Sequence, residues 1–100
     1  MKLNIFLAMK LFSGNTNHDF SKRIAKDLNT DLSKIQITRF ADGEIKVNIN
    51  ECVRQEDCVV IQPTCRNIEN KTSVNDSIIE LLIIIDALKR GSSKSIIVIV

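Results

Sequence analysis

Apolar residues near the start of the chain predict first a strand and then a helix. Residues 10–12 form a short apolar run, and the Ser13-Gly14-Asn15 segment after it indicates a turn. Thr16 and Asp19 have the spacing of a capping box, which predicts the start of a helix. The apolar face of this helix consists of residues four positions apart: Phe20, Ile24 and Leu28. The polar residues 29–31 are expected to end it.

The hydrophobic period changes to two in the next part of the chain. Residues 35–38 alternate between apolar and polar, and residues 45–50 do the same on the other side of Asp42-Gly43. Two alternating runs around an Asp-Gly pair are typical of a β-hairpin. Residues 57–62 are then almost continuously apolar, which is typical of a strand buried on both faces, and Pro63 ends this strand.

The last third of the chain predicts a loop, a helix and a strand. Residues 64–76 form a polar loop, and Asn75 or Ser77 is expected to cap a helix that ends near Arg90. This helix is apolar nearly all round, so burial on several sides is expected. Residues 96–100 are continuously apolar and predict another fully buried strand.

The order strand, helix, hairpin, strand, helix, strand predicts an α/β fold with a largely parallel sheet. A chain of 100 residues is one small domain, and it supplies too few layers to cover the second helix. We therefore expect a truncated first half of a larger unit. Exposed apolar surface on helix 77–90 and on the last strand is expected to favour self-association.

Composition excludes several classes of function. The net charge is only +2 with interleaved signs, and the chain lacks Trp and Tyr, so no nucleic-acid partner is expected. No apolar segment is long enough for a membrane span or a signal peptide, which favours a cytoplasmic protein. Cys52, Cys58 and Cys65 have no metal-ligand spacing, and His18 is far from them, so no metal ligands are expected. We interpret all three cysteines as small buried hydrophobic residues.

The hairpin tip, residues 39–44, carries the most informative polar chemistry. Phe40 falls on the polar face of its strand, where an aromatic ring is suited to stack on a purine. Asp42 and Glu44 are acceptors suited to an exocyclic amine. In the alternative interpretation the Asp-Gly pair is only a turn, Phe40 covers a neighbouring core, and both carboxylates are solvated.

Five segments together resemble the amino-terminal part of ribose-phosphate pyrophosphokinase, also called phosphoribosyl pyrophosphate synthetase. They are KLFSGN (10–15), RFADGE (39–44), NECVR (50–54), IQPTC (61–65) and ELLIIIDALKR (80–90). The resemblance covers residues 9–100, so residues 1–8 are interpreted as an N-terminal extension, and the 64–77 loop is longer than usual. It implies a phosphoribosyltransferase-like fold, a homo-oligomer that is hexameric in the family, and a hairpin that reaches into a neighbouring subunit.

The resemblance also implies an activity in nucleotide biosynthesis. The family uses magnesium (Mg2+) to transfer the β,γ-diphosphoryl group of ATP to the C1 hydroxyl of ribose 5-phosphate. It implies that the adenine stacks on Phe40, with Asp42 and Glu44 at the adenine end of the ATP site. Arg54 and Ser92 match positions that contact a regulatory phosphate or ADP in some members, although Arg54 could equally be a surface charge.

Residues 1–100 lack counterparts of the family's basic phosphate segment, of its mobile loop with the catalytic Lys and Arg, and of its ribose-phosphate loop. We therefore expect no catalytic residue and no magnesium ligand here, and no activity from these residues alone. Cys52 and Gln55 also depart from the family's usual residues beside Arg54. Two hypotheses remain. The chain is the adenine-binding part of a ribose-phosphate diphosphokinase homologue, or it is an inactive remnant or subunit-interaction module that docks on a full-length relative.

Overall fold

A computed structural model describes three stretches of the chain: residues 9–15, 17–63 and 74–100. Their elements are β1 (Met9–Ser13), α1 (His18–Asp27), β2 (Ile35–Arg39), β3 (Ile45–Ile49), β4 (Asp57–Ile61), α2 (Val74–Arg90) and β5 (Ser95–Ile99). The predicted N-terminal extension, most of the polar loop, Thr16 and Cys65 lie outside the described residues.

The strands form two separate sheets. β1, β4 and β5 pair in parallel in the order β1-β4-β5, while β2 and β3 form an antiparallel hairpin of their own. Leu32 adds a single parallel bridge to Leu11, on the free side of β1. The predicted fold class is confirmed: an α/β fold with a mostly parallel sheet and a projecting hairpin.

The two helices cover opposite faces of the parallel sheet. On the α1 face, the buried apolar residues are Leu11, Ala25, Val59 and Ile61. On the α2 face, they are Phe12, Val53, Cys58, Val60, Leu81, Ile84 and Leu88. Because successive residues of a strand point to opposite faces, this three-layer arrangement explains why β4 is continuously apolar.

The hairpin packs on α2 through one face only. Four of its partly buried apolar residues pack against the core on the α2 side: Ile35, Ile37, Val47 and Ile49. The cross-strand register pairs Gln36 with Asn48 and Thr38 with Lys46, so these four side chains share the opposite face. The alternation predicted from the sequence is confirmed, and it leaves the polar face of the hairpin directed away from the core.

The prediction that the last strand is fully buried is wrong, because its residues are partly buried on one face and exposed on the other. Ile96 and Val98 pack on the α2 side, but Ile97 is 48% exposed and Ile99 is 38% exposed. α1 packs over β1 and β4 and does not extend across β5. The sequence shows that these residues are apolar, whereas their exposure depends on how far α1 reaches.

The helix starts also differ from the predicted caps. Asn17 caps α1, because its Oδ1 accepts a hydrogen bond from Phe20 N at 3.1 Å. Asn75 and Ser77 lie inside α2, which already begins at Val74, so neither residue is its N-cap. The C-terminus of α2 at Arg90 is as predicted. No helix in the described ranges is long and apolar enough to cross a membrane.

Candidate functional site

Within the hairpin tip, residues 40–44 form a five-residue loop closed by its own hydrogen bonds. Phe40 N donates to Glu44 O at 2.8 Å, and Gly43 N donates to Phe40 O at 2.9 Å. Asp42 Oδ1 accepts from Glu44 N at 3.1 Å. Gly43 has φ +90°, a conformation in which a Cβ would be strained. These bonds fix the tip internally, and one oxygen of the Asp42 carboxylate is engaged in the turn.

Phe40 continues the polar face of the hairpin and is 47% exposed. It lines an open groove between the hairpin and α2, together with Asp42 and Glu44. The structure therefore brings the three predicted adenine-binding residues to one surface. The alternative in which Phe40 covers a neighbouring core is disfavoured, because Phe40 belongs to neither buried apolar cluster of the described residues.

The same groove contains polar side chains that sequence analysis did not assign to a site. Lys46 and Asn48 of β3 and Arg90 of α2 line it. Arg90 Nε pairs with Asp86 Oδ2 at 2.9 Å, but both side chains are largely exposed, so this ion pair is weak. The signal for Lys46 was present in the sequence, because antiparallel pairing places it beside Thr38 on the face that Phe40 continues. An aromatic ring, two carboxylates and two cationic side chains thus line the same groove.

A buried carboxylate lies beneath the tip end of the hairpin. Glu80 of α2 is completely buried, and its Oε1 accepts from Arg39 Nη2 at 3.1 Å. Its Oε2 accepts from Asn15 N at 2.8 Å and from Gln62 Nε2 at 2.5 Å. Sequence analysis did not assign Glu80 to any site. Its only signal was a single charge within the apolar run of α2.

The segments that follow β1 and β4 meet at the carboxyl end of the parallel sheet. Gly14 N donates to Ile61 O at 3.1 Å, and Gln62 N donates to Ile99 O at 2.9 Å. Ser13 Oγ is 2.8 Å from Ser21 Oγ, which ties the end of β1 to α1. In open α/β sheets, ligands bind beyond this edge. Arg39 and Glu80 therefore connect the hairpin to the edge where a ligand of the sheet is expected.

Comparisons with known proteins match the chain to one family. A family model described as the N-terminal domain of ribose phosphate pyrophosphokinase matches residues 9–100. The chain belongs to this family. The ribose-phosphate pyrophosphokinases of Thermotoga maritima and Bacillus subtilis are 48% and 44% identical to it over 92 residues, which are 92% of this chain and 27% of each relative.

A solved structure of the family agrees with the fold. The crystal structure of phosphoribosylpyrophosphate synthetase from Mycobacterium smegmatis superposes with a TM-score of 0.77 at 35% identity, covering 90% of this chain and 28% of that chain. The predicted phosphoribosyltransferase-like fold is thereby confirmed. The chain spans about a quarter of the length of these relatives and corresponds to their N-terminal domain. The relatives are named as pyrophosphokinases, a class of kinase.

Arg54 and Ser92, the predicted effector residues of this N-terminal domain, lie on two loops joined by their backbones. Gln55 N donates to Ser92 O at 2.8 Å, and both side chains of the predicted pair are exposed. Gln55 has φ +58°, in the left-handed region that favours glycine, the residue that the resemblance leads us to expect at this position. The structure brings the loops together, and no hydrogen bond joins the two predicted side chains within the described residues.

The open end of the hairpin is tethered by a second carboxylate. Glu51 accepts from Lys10 Nζ at 3.0 Å and from Lys34 N. Partial burial opposes the ionisation of Glu51, but these two donors outweigh it and hold the pKa of Glu51 below its ordinary value. The hydrogen bond to Glu51 raises the pKa of Lys10. β1 is therefore joined to the open end of the hairpin through an ion pair.

The cysteines differ from their predicted burial. Cys58 is completely buried, and burial raises the pKa of its thiol, with Glu56 and Asp57 adding to the effect. This agrees with its interpretation as a small hydrophobic residue. Cys52 is exposed, so the prediction of burial is wrong there, because its segment is a surface loop beside Val53. Within the described ranges, no three His, Cys, Asp or Glu side chains converge as a metal site would require.

Proposed function

We propose that this chain supplies the adenine-binding hairpin of a ribose-phosphate diphosphokinase. The observation that carries the proposal is the half-exposed Phe40 ring, which lines a polar groove with Asp42 and Glu44 instead of packing in a core. A purine needs a flat apolar surface for its ring and acceptors for its exocyclic amine. Phe40 provides the surface, and the two carboxylates provide the acceptors.

The reaction that this proposal implies is the Mg2+-dependent transfer of the β,γ-diphosphoryl group of ATP to the C1 hydroxyl of ribose 5-phosphate. The contribution of this chain is binding and orientation of the base, because the described residues contain no cluster of carboxylates for the metal. Such transfer depends on cations positioned around the phosphates. We therefore expect the magnesium ligands and the catalytic cations to come from parts of the family's longer chains that follow this domain.

Two further properties belong to the proposal. The hairpin forms a sheet of its own and projects its polar tip into solvent, which suits insertion into the site of a neighbouring subunit in a homo-oligomer. Arg54 and Ser92 are proposed to bind a phosphate-bearing effector, since their loops are held together by a backbone hydrogen bond and both side chains are exposed.

The second candidate function is that of a non-catalytic interaction module or inactive remnant that docks on a full-length relative. It is favoured by the apolar side chains that α2 and β5 expose, among them Leu82 at 59% and Ile97 at 48%. The two candidates differ in one measurable property. Only the first requires that the hairpin recognise a nucleobase.

Substitution of Phe40 by alanine tests the proposal in a fusion that restores the rest of the enzyme from a full-length relative. Loss of a base–aromatic stack should weaken ATP binding by about 1–3 kcal/mol. Binding of ribose 5-phosphate, which has no base, should be unchanged. Phe20→Ala is a matched control, because Phe20 packs beside the core on the α1 face and should affect stability only. If Phe40→Ala lowers the melting temperature and leaves ATP affinity unchanged, Phe40 is a packing residue and the proposal is wrong.

The role of Asp42 is tested separately from its role in the turn. Asp42→Asn keeps an oxygen that can accept from Glu44 N and removes the charge, whereas Asp42→Ala removes both. If the second carboxylate oxygen accepts from the base, both variants should lose about 1 kcal/mol of ATP binding; if Asp42 acts only through the turn, the asparagine variant should bind as tightly as wild type. Titration calorimetry on both variants distinguishes the two cases.

A further inference from the structure

Glu80 is a charged side chain on a helix that is otherwise largely apolar. It is completely buried on α2, next to the core residue Leu81 and one turn before Ile84. A carboxylate in such a place is costly unless donors surround it. Its position therefore depends on hydrogen bonds that reach it from other segments of the chain.

Those bonds come from three segments that are distant in sequence. Arg39 ends β2, Asn15 follows β1, and Gln62 follows β4. Gln62 also donates its backbone N–H to Ile99 O, so the end of β5 is attached to the same group. The carboxylate thus joins the hairpin directly to the segments that follow β1 and β4, and indirectly, through the backbone of Gln62, to the end of β5.

Apolar packing alone does not fix the angle of the hairpin on α2. Among the described residues, the hairpin shares no strand pairing with the parallel sheet. Its apolar face rests on α2 through Ile37 and Val47, and such contacts have little directional preference. Directional bonds occur at the two ends: Glu51 with Lys10 at the open end, and Glu80 with Arg39 at the tip end.

We propose that Glu80 is a positioning residue for the hairpin tip. Arg39 directly precedes Phe40, so the Arg39–Glu80 ion pair sets where Phe40 lies relative to the carboxyl end of the parallel sheet. A ligand held at that edge and a nucleobase held at the tip then have a fixed separation. The statement about the nucleobase rests on the function proposed above, whereas the statement about the hairpin's position does not.

A ligand-independent measurement tests the position of the tip. Nitroxide labels at Ala41 and Asp19, both exposed, report the distance from the tip to the start of α1. The exposed Cys52 and also Cys65 are replaced by serine (Cys52→Ser and Cys65→Ser) so that they are not labelled. In the protein that carries this domain, Glu80→Gln should shift or broaden this distance distribution. The matched control, Glu51→Gln, removes the tether at the open end and should leave the distribution unchanged. An unchanged distribution in Glu80→Gln overturns the proposal.

A binding measurement tests the consequence for ligands. Glu80→Gln should weaken ATP binding about fivefold or more when binding is measured at a temperature well below the melting temperature of the variant. Arg39→Lys, which keeps the charge, should stay within about twofold of wild type. The double variant Arg39→Gln/Glu80→Gln should bind no more weakly than Glu80→Gln, because both changes break one contact.

The outcomes separate this proposal from the proposed function. If Glu80→Gln lowers the melting temperature but leaves both ATP affinity and the label distance unchanged, Glu80 has a structural role only and the inference is wrong. If ATP affinity does not depend on Phe40 at all, the proposed function fails, and the label distance alone then decides whether Glu80 positions the tip.

Discussion

Replacement of Gly14 by alanine should strongly destabilise the carboxyl end of the parallel sheet. A Cβ at this position would lie 2.0 Å from Gln62 Oε1 and 2.3 Å from Gln62 Cδ, far inside van der Waals contact. The Gln62 side chain cannot simply move away. It is completely buried, and its Nε2 donates to Glu80 Oε2 at 2.5 Å and to Ser77 O at 3.4 Å.

The size of the effect follows from the bonds that Gln62 would lose. The bond to the Glu80 carboxylate is charge-assisted, and such bonds contribute about 1.5–3 kcal/mol, against about 1 kcal/mol for a neutral one. The contact with Ser77 O is long and adds less. We therefore expect Gly14→Ala to lower the free energy of unfolding by about 2–4 kcal/mol. Urea denaturation measures this change, with an unchanged slope showing that the denatured state is the same.

Two further variants show whether Gln62 is the obstacle. Gly43→Ala is a control for the loss of glycine flexibility, because no atom lies within 4 Å of the position of its Cβ and only its φ of +90° is strained. It should cost about 1–2 kcal/mol. Gly14→Ala/Gln62→Ala should be no less stable than Gln62→Ala alone. If the two effects simply add, or if Gly14→Ala is as stable as wild type, the overlap with Gln62 is not what requires glycine.

Three other predictions concern pH, activity and association. The stability that the Glu51–Lys10 pair contributes should be fully present above the ordinary carboxyl pKa of 4.5 and be lost as pH falls through the depressed folded-state pKa of Glu51. Denaturation at several pH values should therefore show that the free energy of unfolding falls less steeply with acid in Glu51→Gln than in wild type. A polypeptide of residues 1–100 should form no phosphoribosyl pyrophosphate from ATP and ribose 5-phosphate, and magnesium-dependent product that Phe40→Ala abolishes would contradict this. The same polypeptide should self-associate in analytical ultracentrifugation, less so with Leu82→Glu, and a sharp monomer at high concentration would refute this.

Much of the fold could be predicted because its signals are local. The two alternating runs define the hairpin, and the continuous apolar run of β4 indicates burial on both faces. The start of α2 could not be predicted in the same way. Polar residues that can cap a helix are frequent between positions 67 and 77, and their order along the chain does not show which one precedes the first turn. The exposure of β5 depends on the reach of α1, which is a property of the assembled layers.

The candidate site likewise has some features that local sequence predicts and others that depend on the assembled fold. Five consecutive residues of one turn contain Phe40, Asp42 and Glu44, so the proximity of these side chains follows from the sequence. Lys46 joins them through cross-strand register, which the alternation implies once the strands are paired. These residues form a surface that could bind a ligand wherever the hairpin happened to point. What the local pattern does not contain is the direction of the hairpin.

That direction depends on Glu80, and no local pattern could have identified it. Its donors Asn15, Arg39 and Gln62 are 65, 41 and 18 residues away in sequence. A carboxylate in an apolar run is compatible with an exposed helix face as well as with a buried junction, and only the convergence of three donors makes burial tolerable. The chemistry that we propose for recognition of a base can thus be encoded in five neighbouring residues, whereas the geometry that makes recognition useful to a reaction must be encoded across the whole domain.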